Sequence, residues 1–272
     1  MNLICIITAQ GNGTNNYSYT YIVDMPCSRW NAVFLFTDIM GYQEFDIYAN
    51  EYDSWFMENS NVLETEVRLV ASCLVNAGDV LSIGCGSGLF EKILADKYGI
   101  TVSKGIEPSA AMAEIARKRG MDVIVGTGED TDYGIEQFDT VLFNGCPCYM
   151  QDLALALRKA YAALRKGGKV VVIDVPKESA YGILYNLALS VGTWDHELLA
   201  GCSPLMPYPI ELVKQAEWRT TAEKISLVKE AGFVNLEFSQ TLTAAPCYSH
   251  EKVEDPCEGY DRGSYVSITA YK

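Results

Sequence analysis

Short apolar runs alternate with amphipathic segments along most of the chain. The runs end in glycine or polar residues and predict strands at residues 80–83, 102–106, 121–125, 138–143, 169–174, 233–239 and 263–271. Between them, apolar residues recur every three or four positions, which predicts helices within residues 43–75, 89–98, 109–116, 152–164, 180–191 and 220–231. Strands that alternate with helices in this way are typical of an α/β fold.

The segment 80–91 carries the first chemical signal. An apolar run ends at Ile83, and three glycines then occupy alternate positions: Gly84, Gly86 and Gly88. A helical pattern begins directly afterwards at Leu89. Strand, glycine turn and helix in this order form a nucleotide-binding unit, because glycine lets the backbone turn tightly and approach a ligand closely. The helix N-terminus adds free N–H groups.

The next predicted strand leads to an acidic residue, Glu107, nineteen residues after Gly88. A carboxylate at the end of the second strand is placed to accept both hydroxyls of a ribose. A glycine loop and a ribose acid together indicate a cofactor of the adenosine type, and both NAD(P) and S-adenosylmethionine are of this type. Dinucleotide-binding proteins use G-x-G-x-x-G. Here the spacing is G-x-G-x-G, and Leu89 stands where the dinucleotide motif has its last glycine.

With these motifs the sequence resembles the class I S-adenosylmethionine-dependent methyltransferases, from about Phe45 to the C-terminus, and most closely the type 11 group. The run 164–173, Leu-Arg-Lys-Gly-Gly-Lys-Val-Val-Val-Ile, resembles the family's approach to its fifth strand. The resemblance implies a doubly wound, mostly parallel seven-stranded sheet of Rossmann-like type, with helices on both faces and an antiparallel last strand. It also implies S-adenosylmethionine as cofactor and S-adenosylhomocysteine as product.

The resemblance assigns cofactor contacts to several stretches of the chain. Tyr-Asp-Ser-Trp-Phe at 52–56 resembles a family segment that covers the cofactor, although such aromatics are also typical of a packed amphipathic helix. The loop 126–130 resembles the family's adenine-contacting loop, with Glu129 as the matching acid; a solvated acidic loop is the alternative. The cofactor-binding residues implied in this way are Tyr48, Tyr52, Gly84, Cys85, Gly86, Gly88, Glu107, Pro108, Gly128, Glu129 and Asn144.

Three residues are candidates for catalysis or for shaping the methyl-transfer site: Asn144, Tyr149 and His196. Asn144 and Tyr149 follow the predicted fourth strand, and in open α/β sheets the site lies outside the carboxyl ends of the strands. His196 lies between Asp195 and Glu197 and is a candidate general base; the alternative is a surface histidine in an acidic loop. A base is needed only if the acceptor arrives protonated.

One position departs from the family pattern. Ser82 stands where the family commonly has an acid that orients groups near the methionine end of the cofactor. A module that binds the cofactor without turnover is therefore one alternative function, and an NAD(P)-dependent oxidoreductase is another. The main prediction is methyl transfer to a small molecule by in-line displacement, in which the protein mainly positions the reactants.

Charge and composition narrow the class of substrate. The chain has 272 residues and a formal net charge of −14, with 49% hydrophobic and 21% charged residues. An acidic surface repels phosphate backbones and anionic membranes, so we expect neither nucleic acid nor membrane as a partner. A monomer or a homodimer fits these data equally well.

The nine cysteines are odd in number and contain no C-x-x-C motif. Cys85 lies inside the glycine loop, where a disulfide is hard to fit, so reduced thiols and a cytoplasmic location are expected. Cys146 and Cys148 lie next to the predicted methyl-transfer site. Two ligands one residue apart rarely complete a metal site, so no metal is predicted.

Two regions fall outside the core motifs. Residues 1–40 differ in pattern from the rest and are predicted to be an N-terminal extension; a natural start at Met25 or Met40 and an added strand or arm are equally weighted interpretations. Residues 41–272 are predicted to form the methyltransferase domain. Within it, 43–75 is expected to be a helical lid, and the irregular stretch 192–219, rich in proline and aromatic residues, is expected to cap the substrate.

Overall fold

The structure is a computed structural model that describes residues 2–10, 18–26 and 42–272. Contacts divide the chain into two units, Met1–Ile39 and Met40–Lys272. In the first unit, β1 (Asn2–Gln10) and β2 (Ser18–Pro26) form an antiparallel pair. Met25, one of the two alternative starts, lies in β2. The other, Met40, and the rest of the predicted extension lie outside the described residues.

The second unit is built on one mixed sheet. Its strands are β3 (Val80–Ile83), β4 (Lys104–Glu107), β5 (Asp122–Val125), β6 (Phe138–Asn144), β7 (Leu164–Asp174), β8 (Val234–Thr241), β9 (Cys257–Glu258) and β10 (Tyr265–Tyr271). Their order across the sheet is β5-β4-β3-β6-β7-β10-β8-β9. The first five strands in this order are parallel, and β10 pairs antiparallel with both β7 and β8.

This arrangement confirms the predicted doubly wound fold with an antiparallel C-terminal strand. The sheet has one strand more than the seven expected, because the two-residue strand β9 pairs with the edge of β8. β7 also begins earlier than predicted, at Leu164 rather than 169. Its register to β6 shifts between Phe138 and Thr140, so residues 165–168 form a bulge in the strand pairing. The sequence pattern predicted the end of the preceding helix at this place.

Helices cover both faces of the sheet. They are α1 (Gln43–Ile47), α2 (Ala49–Glu58), α3 (Ser60–Cys73), α4 (Leu89–Tyr98), α5 (Ala110–Lys118), α6 (Leu153–Ala163), α7 (Ala180–Val191), α8 (Ile210–Val213) and α9 (Thr221–Glu230). Side chains of a strand alternate between faces, so Val80 packs with α3 and α4 whereas its neighbour Leu81 packs with α6 and α9.

The topology determines where a ligand can bind. Strand order reverses between β3 and β6, which pair with each other and lead to helices on opposite faces. The connections that follow β3, β4, β6 and β7 all leave from the carboxyl edge of the parallel strands. A crevice at such a reversal is the usual ligand site of open α/β sheets.

Candidate active site

The glycine loop turns away from β3 directly into α4. Gly84 has φ of +62° and donates its N–H to the carbonyl of Ile106 at 2.7 Å. A Cβ at Gly84 would lie 2.6 Å from Cβ of Cys146, so this position accepts only glycine. Gly86 has φ of +55°, but a Cβ there would meet no atom within 4 Å. The loop therefore packs tightly at its start and leaves open space at its middle.

Glu107 ends β4 and faces this loop. Its Oε2 accepts the N–H of Gly86 and its Oε1 accepts the N–H of Ser109, both at 2.9 Å. Burial raises the pKa of Glu107 to about 7, although the two backbone donors act in the opposite direction. The carboxylate is fixed by backbone on both oxygens and keeps lone pairs for further donors.

Two adjoining cavities occupy the crevice. The first, here the Glu107 cavity, has a volume of about 580 Å³ including its mouth. The second, here the aromatic cavity, has about 760 Å³ on the same measure. The lining residues common to both are Tyr52, Gly84, Gly86, Asn144, Gly145 and Tyr149.

Glu129 contributes an unused acceptor to the Glu107 cavity. Its Oε1 accepts the N–H of Gln151 at 2.9 Å and that of Asp152 at 3.3 Å. Its Oε2 is buried and has no hydrogen-bond partner among the residues that the structure describes. A buried acceptor without a donor costs free energy, so this atom indicates a place for a ligand N–H.

The aromatic cavity is lined by rings from α2, α7 and the segment 192–219. Trp55 meets Tyr208 edge to face at 5.1 Å, and Tyr185 stacks on Trp218 at 4.9 Å with an angle of 22° between the planes. Burial raises the pKa of Tyr52, Tyr149, Tyr185 and Tyr208 well above the usual value, so these phenols are neutral donors at physiological pH.

Asn144 lies on the wall between the two cavities. Its Oδ1 accepts the hydroxyl of Tyr265, from β10, at 2.8 Å. This bond leaves the amide N–H groups of Asn144 available to a ligand. Tyr265 is buried, so the antiparallel strand holds Asn144 in place at the end of β6.

Three carboxyl groups line the aromatic cavity. Asp174, at the end of β7, forms a buried ion pair with Lys224 of α9 at 3.3 Å. Glu91 of α4 accepts the hydroxyl of Ser82 at 2.7 Å, and both residues are buried. Burial raises the pKa of Asp174 and of Glu91. The third carboxyl group, that of Glu66 in α3, has a pKa that burial raises to about 8.

Polar contacts hold the N-terminal helices over the glycine loop. Asp53 of α2 accepts the hydroxyl of Ser87 and pairs with Arg119, each at 2.5 Å. Asp46 of α1 accepts the hydroxyl of Ser109 at 2.6 Å. These contacts place the aromatic side chains of α1 and α2 against the crevice.

The segment 192–219 closes the other side. Trp55 donates its indole N–H to the carbonyl of Pro207 at 3.2 Å. Arg219 donates to the carbonyls of Pro147 and Met150, both at 2.8 Å. The segment is thereby anchored to the turn after β6, where Asn144 and Tyr149 lie.

The structure brings most of the predicted site residues together. Those that line one or both cavities are Tyr52, Gly84, Cys85, Gly86, Glu107, Pro108, Gly128, Glu129, Asn144 and Tyr149. Three predicted residues do not line either cavity: Tyr48, Gly88 and His196.

Each of these three has a local role instead. Tyr48 lies at the junction of α1 and α2 and, like Tyr52, packs partly buried against the core. Gly88 is the N-cap of α4 with φ of +71°. His196 accepts the N–H of Leu198 at 3.2 Å and caps a short 3-10 turn. Direct ligand contact of these three residues stays a prediction.

Sequence reasoning missed Glu66, Glu91 and Asp174. Glu66 lies four residues from both Val62 and Val70, which are buried, so a charge on an apolar helix face was a usable signal. Asp174 ends a predicted strand at the edge where sites form. Glu91 had no such signal, because only the folded structure brings it to Ser82.

The thiols of the site are protonated and hydrogen-bonded. Cys146 donates to the carbonyl of Ile83 at 3.0 Å, and burial raises the pKa of Cys146 and Cys148 well above the usual value.

Within residues 2–10, 18–26 and 42–272 no three metal-ligating side chains cluster together. Over the same residues, every helix is too short or too polar to cross a bilayer.

Comparisons with known proteins agree with this geometry. Residues 81–172 match the family profile described as "Methyltransferase domain". An uncharacterized protein of Methanocaldococcus jannaschii is 31% identical over 228 residues, which are 84% of this chain and 98% of that protein. A solved structure from Thermotoga maritima, described as a SAM-dependent methyltransferase and possible histamine N-methyltransferase, is 32% identical. It superposes with a TM-score of 0.72 and covers 85% of this chain and 99% of that one.

A more distant relative is ajmaline N-methyltransferase of Rauvolfia serpentina. It is 28% identical over 159 residues, which are 52% of this chain and 54% of that protein. The sheet order, the glycine loop and the acid at the end of the neighbouring strand define a nucleotide-binding fold of the methyltransferase type. The chain belongs to the class I S-adenosylmethionine-dependent methyltransferases.

The residues of the Glu107 cavity fit the cofactor that this family implies. Glu107 offers a fixed carboxylate to ribose hydroxyls, and the free Oε2 of Glu129 offers an acceptor to an adenine amino group. The open space beside Gly86 leaves room for a ligand to approach the backbone. Ser82 occupies the strand position where the family commonly has an acid. Glu91 places a carboxyl group beside it and accepts its hydroxyl.

Proposed function

We propose that the protein transfers the methyl group of S-adenosylmethionine to a small-molecule acceptor bound in the aromatic cavity. The observation that carries this proposal is the shared wall of Gly84, Gly86, Asn144 and Tyr149, which separates a cavity suited to adenosine from one lined by aromatic rings. When bound, S-adenosylmethionine supplies a methyl group already activated on a sulfonium sulfur and leaves as S-adenosylhomocysteine.

The residues of this chain act mainly by positioning the reactants. Glu107 and Glu129 would hold the nucleoside of the bound cofactor, and Glu91 would offer a carboxylate to its ammonium group. Asn144, fixed by Tyr265, uses its amide N–H groups to orient the reacting end of either ligand. The neutral tyrosines and the apolar rings exclude water, which favours a reaction in which charge is neutralised or displaced.

A small acceptor is favoured by the size of the aromatic cavity, about 760 Å³ including its mouth, and by the net charge of −14, which disfavours polyanions and anionic membranes. We propose that the enzyme is cytoplasmic, because its cysteines are expected to be reduced thiols. The T. maritima and R. serpentina relatives are described as N-methyltransferases, the first as a possible one, and this supports a nitrogen acceptor.

The first experiment is calorimetric binding of S-adenosylmethionine, S-adenosylhomocysteine and NAD to wild type and to Glu107→Gln. We expect micromolar binding of both sulfur compounds, weaker binding to the variant and none of NAD. Binding of NAD instead would support the oxidoreductase alternative and overturn the proposal.

Turnover separates an enzyme from a binding module. Release of S-adenosylhomocysteine that depends on an added acceptor is the result expected of an enzyme. Tight cofactor binding without release, across a broad panel of amines, alcohols and thiols, would favour the non-catalytic module.

A further inference from the structure

We propose that the acceptor is a small primary or secondary amine, bound as its ammonium ion by Glu66 inside the aromatic cavity and deprotonated there by the same carboxylate. This inference rests on the proposed methyltransferase function and specifies the class of substrate for it. Glu66 and the aromatic rings on which the inference rests, those of Trp55, Tyr185, Tyr208 and Trp218, do not line the Glu107 cavity.

Glu66 faces the cavity without a partner. Two residues to either side of it on α3, Glu64 and Arg68 pair with each other at 3.3 Å. Among residues 42–272, no hydrogen-bond donor and no cation contacts the carboxylate of Glu66, and burial alone raises its pKa. Glu66 is half-buried, and a carboxylate that is partly shielded from water and has no protein partner is stabilised by a bound cation.

The charges that line the cavity have one sign. Its described lining contains the carboxyl groups of Glu66, Glu91 and Asp174 and no lysine, arginine or histidine. Asp174 is paired with Lys224, and Glu91 accepts the hydroxyl of Ser82. Glu66 is therefore the acid in this lining that remains free for an acceptor.

The walls suit an organic cation. Trp55, Tyr185, Tyr208 and Trp218 present aromatic surface around the cavity, and aromatic faces attract ammonium groups in dry sites. Trp218 is only 7% exposed, and its Nε1 has no hydrogen-bond partner within the described part of the chain. That buried donor indicates that the occupant also carries a hydrogen-bond acceptor.

Glu66 lies on the acceptor side of the shared wall. It lines the aromatic cavity and not the Glu107 cavity. Burial, and next to it the negative charge of Glu66, raises the pKa of Tyr265, whose hydroxyl is bonded to Asn144. The carboxylate thus lies on the side of the aromatic cavity and close enough to Tyr265 to affect its ionisation.

The chemistry balances as follows. The Glu66 carboxylate takes one proton from the bound ammonium R–NH₃⁺, which leaves R–NH₂ with a free lone pair on nitrogen. That lone pair forms the N–C bond to the methyl carbon while the C–S bond breaks and its electron pair stays on sulfur. The products are R–NH₂⁺–CH₃ and S-adenosylhomocysteine, and the proton on Glu66 leaves to solvent when the site opens. No oxidant, reductant or metal is required.

The test uses the full-length protein saturated with S-adenosylhomocysteine. Two matched pairs of probes are titrated by calorimetry: tyramine against 4-propylphenol, and histamine against 4-propylimidazole. Within each pair only the ammonium group is replaced by methyl. The proteins are wild type, Glu66→Gln, Glu66→Asp and the control Glu58→Gln, which changes an exposed glutamate near the end of α2.

We expect wild type and Glu58→Gln to bind at least one amine about tenfold or more tightly than its partner without the ammonium group. The reason is that an ammonium ion in a dry site interacts favourably with aromatic faces and with a carboxylate. Glu66→Gln should lose this preference, and Glu66→Asp, which keeps the charge, should retain part of it. All four proteins should bind S-adenosylhomocysteine with affinities within about twofold, because Glu66 lies outside the Glu107 cavity.

Two outcomes overturn the inference. One is equal affinity of wild type for both members of each pair, and the other is an amine preference that survives in Glu66→Gln. Failure of wild type to bind S-adenosylhomocysteine would instead overturn the proposed function itself, so the two failures are distinguishable.

Discussion

At the scale of single residues, the site depends on a few groups whose surroundings change their ordinary chemistry. Glu107 is held by two backbone N–H donors yet has a pKa raised to about 7 by burial. Gly84 and Gly86 both have positive φ, but only Gly84 is packed against another side chain. These differences lead to two predictions.

Cofactor affinity should depend on pH through Glu107. Ribose hydroxyls donate to the ionised carboxylate, so binding favours the form that has lost its proton. The affinity for S-adenosylhomocysteine should therefore fall as the pH drops below 7, by up to about tenfold per pH unit. Calorimetry between pH 5.5 and 8.5 measures this. Glu107→Gln should bind more weakly and show a flat profile; a flat profile in wild type would contradict the role of Glu107.

Alanine at three glycines should separate stability from binding. Gly84→Ala combines a positive φ with a clash against Cys146 and should lower the free energy of unfolding by about 2–4 kcal/mol. Gly86→Ala should cost about 1–2 kcal/mol, but should weaken S-adenosylhomocysteine binding about tenfold or more, because the new methyl group fills ligand space.

Gly99→Ala is the matched control for this comparison. It has a similar φ of +66° and open surroundings, but it ends α4 away from both cavities. It should lose as much stability as Gly86→Ala and keep normal binding, which urea unfolding and calorimetry test together. Equal binding losses in the two variants would show that backbone strain alone is responsible.

At the scale of elements, α1 and α2 are held over the glycine loop by side chains that can separate without unfolding the sheet. Asp53 links α2 to both Ser87 and Arg119. Asp46 links α1 to the start of α5. The predicted lid over residues 43–75 remains a prediction, and these contacts indicate how it would be closed.

Asp53→Asn should loosen the closed position of α2. The substitution removes the charge that meets Arg119, and we expect faster amide hydrogen exchange across 43–58 and about tenfold weaker binding of S-adenosylhomocysteine. Asp96→Asn breaks the exposed Lys92–Asp96 pair on α4 and serves as control, with little change expected. Unchanged exchange in α1 and α2 of the Asp53 variant would contradict this role.

At the scale of the whole molecule, the crevice concentrates buried carboxyl groups that the unfolded chain would ionise freely. Burial raises the pKa of Glu66 to about 8 and that of Glu107 to about 7, and it also raises the pKa of Glu91 and Asp174. Binding of a cationic acceptor would relieve part of this cost, which connects stability to function.

The ligand-free protein should become less stable as the pH rises from about 5.5 to 8. In this window the folded state holds protons that the unfolded chain, with ordinary carboxyl pKa values, has lost, so the free energy of unfolding falls with increasing pH. Surface carboxyls with pKa lowered by hydrogen bonds, such as Glu64, Asp139 and Glu223, are ionised in both states here and add no slope.

Thermal unfolding at several pH values measures this dependence. Glu66→Gln should reduce the slope, whereas the exposed change Glu58→Gln should leave it unchanged. A melting temperature that rises from pH 5.5 to 8 in wild type would contradict the burial of these groups.

The sequence by itself determined the order of strands and helices and the part of the site around the glycine loop and Glu107. Strand and helix periods are local properties, and the glycine loop and Glu107 are separated by a single helix, so their meeting at the sheet edge follows from the topology. Glu107 and Asn144 were predicted because each lies at the end of a strand, and Glu129 because its loop resembles the family's adenine-contacting loop. The roles of Tyr48, Gly88 and His196 stay predictions, because spacing along a helix or loop does not show whether a residue reaches the ligand.

Only the tertiary structure decided which residues form the aromatic cavity. Glu66, Tyr185, Trp218 and Tyr265 come from separate elements, and no period or motif connects positions more than a hundred residues apart. The pairing of Lys224 with Asp174, and of Glu91 with Ser82, also decides which acid stays free. Charge and burial at a site are sums over all neighbours in space, so the unpaired state of Glu66 exists only once the chain has folded.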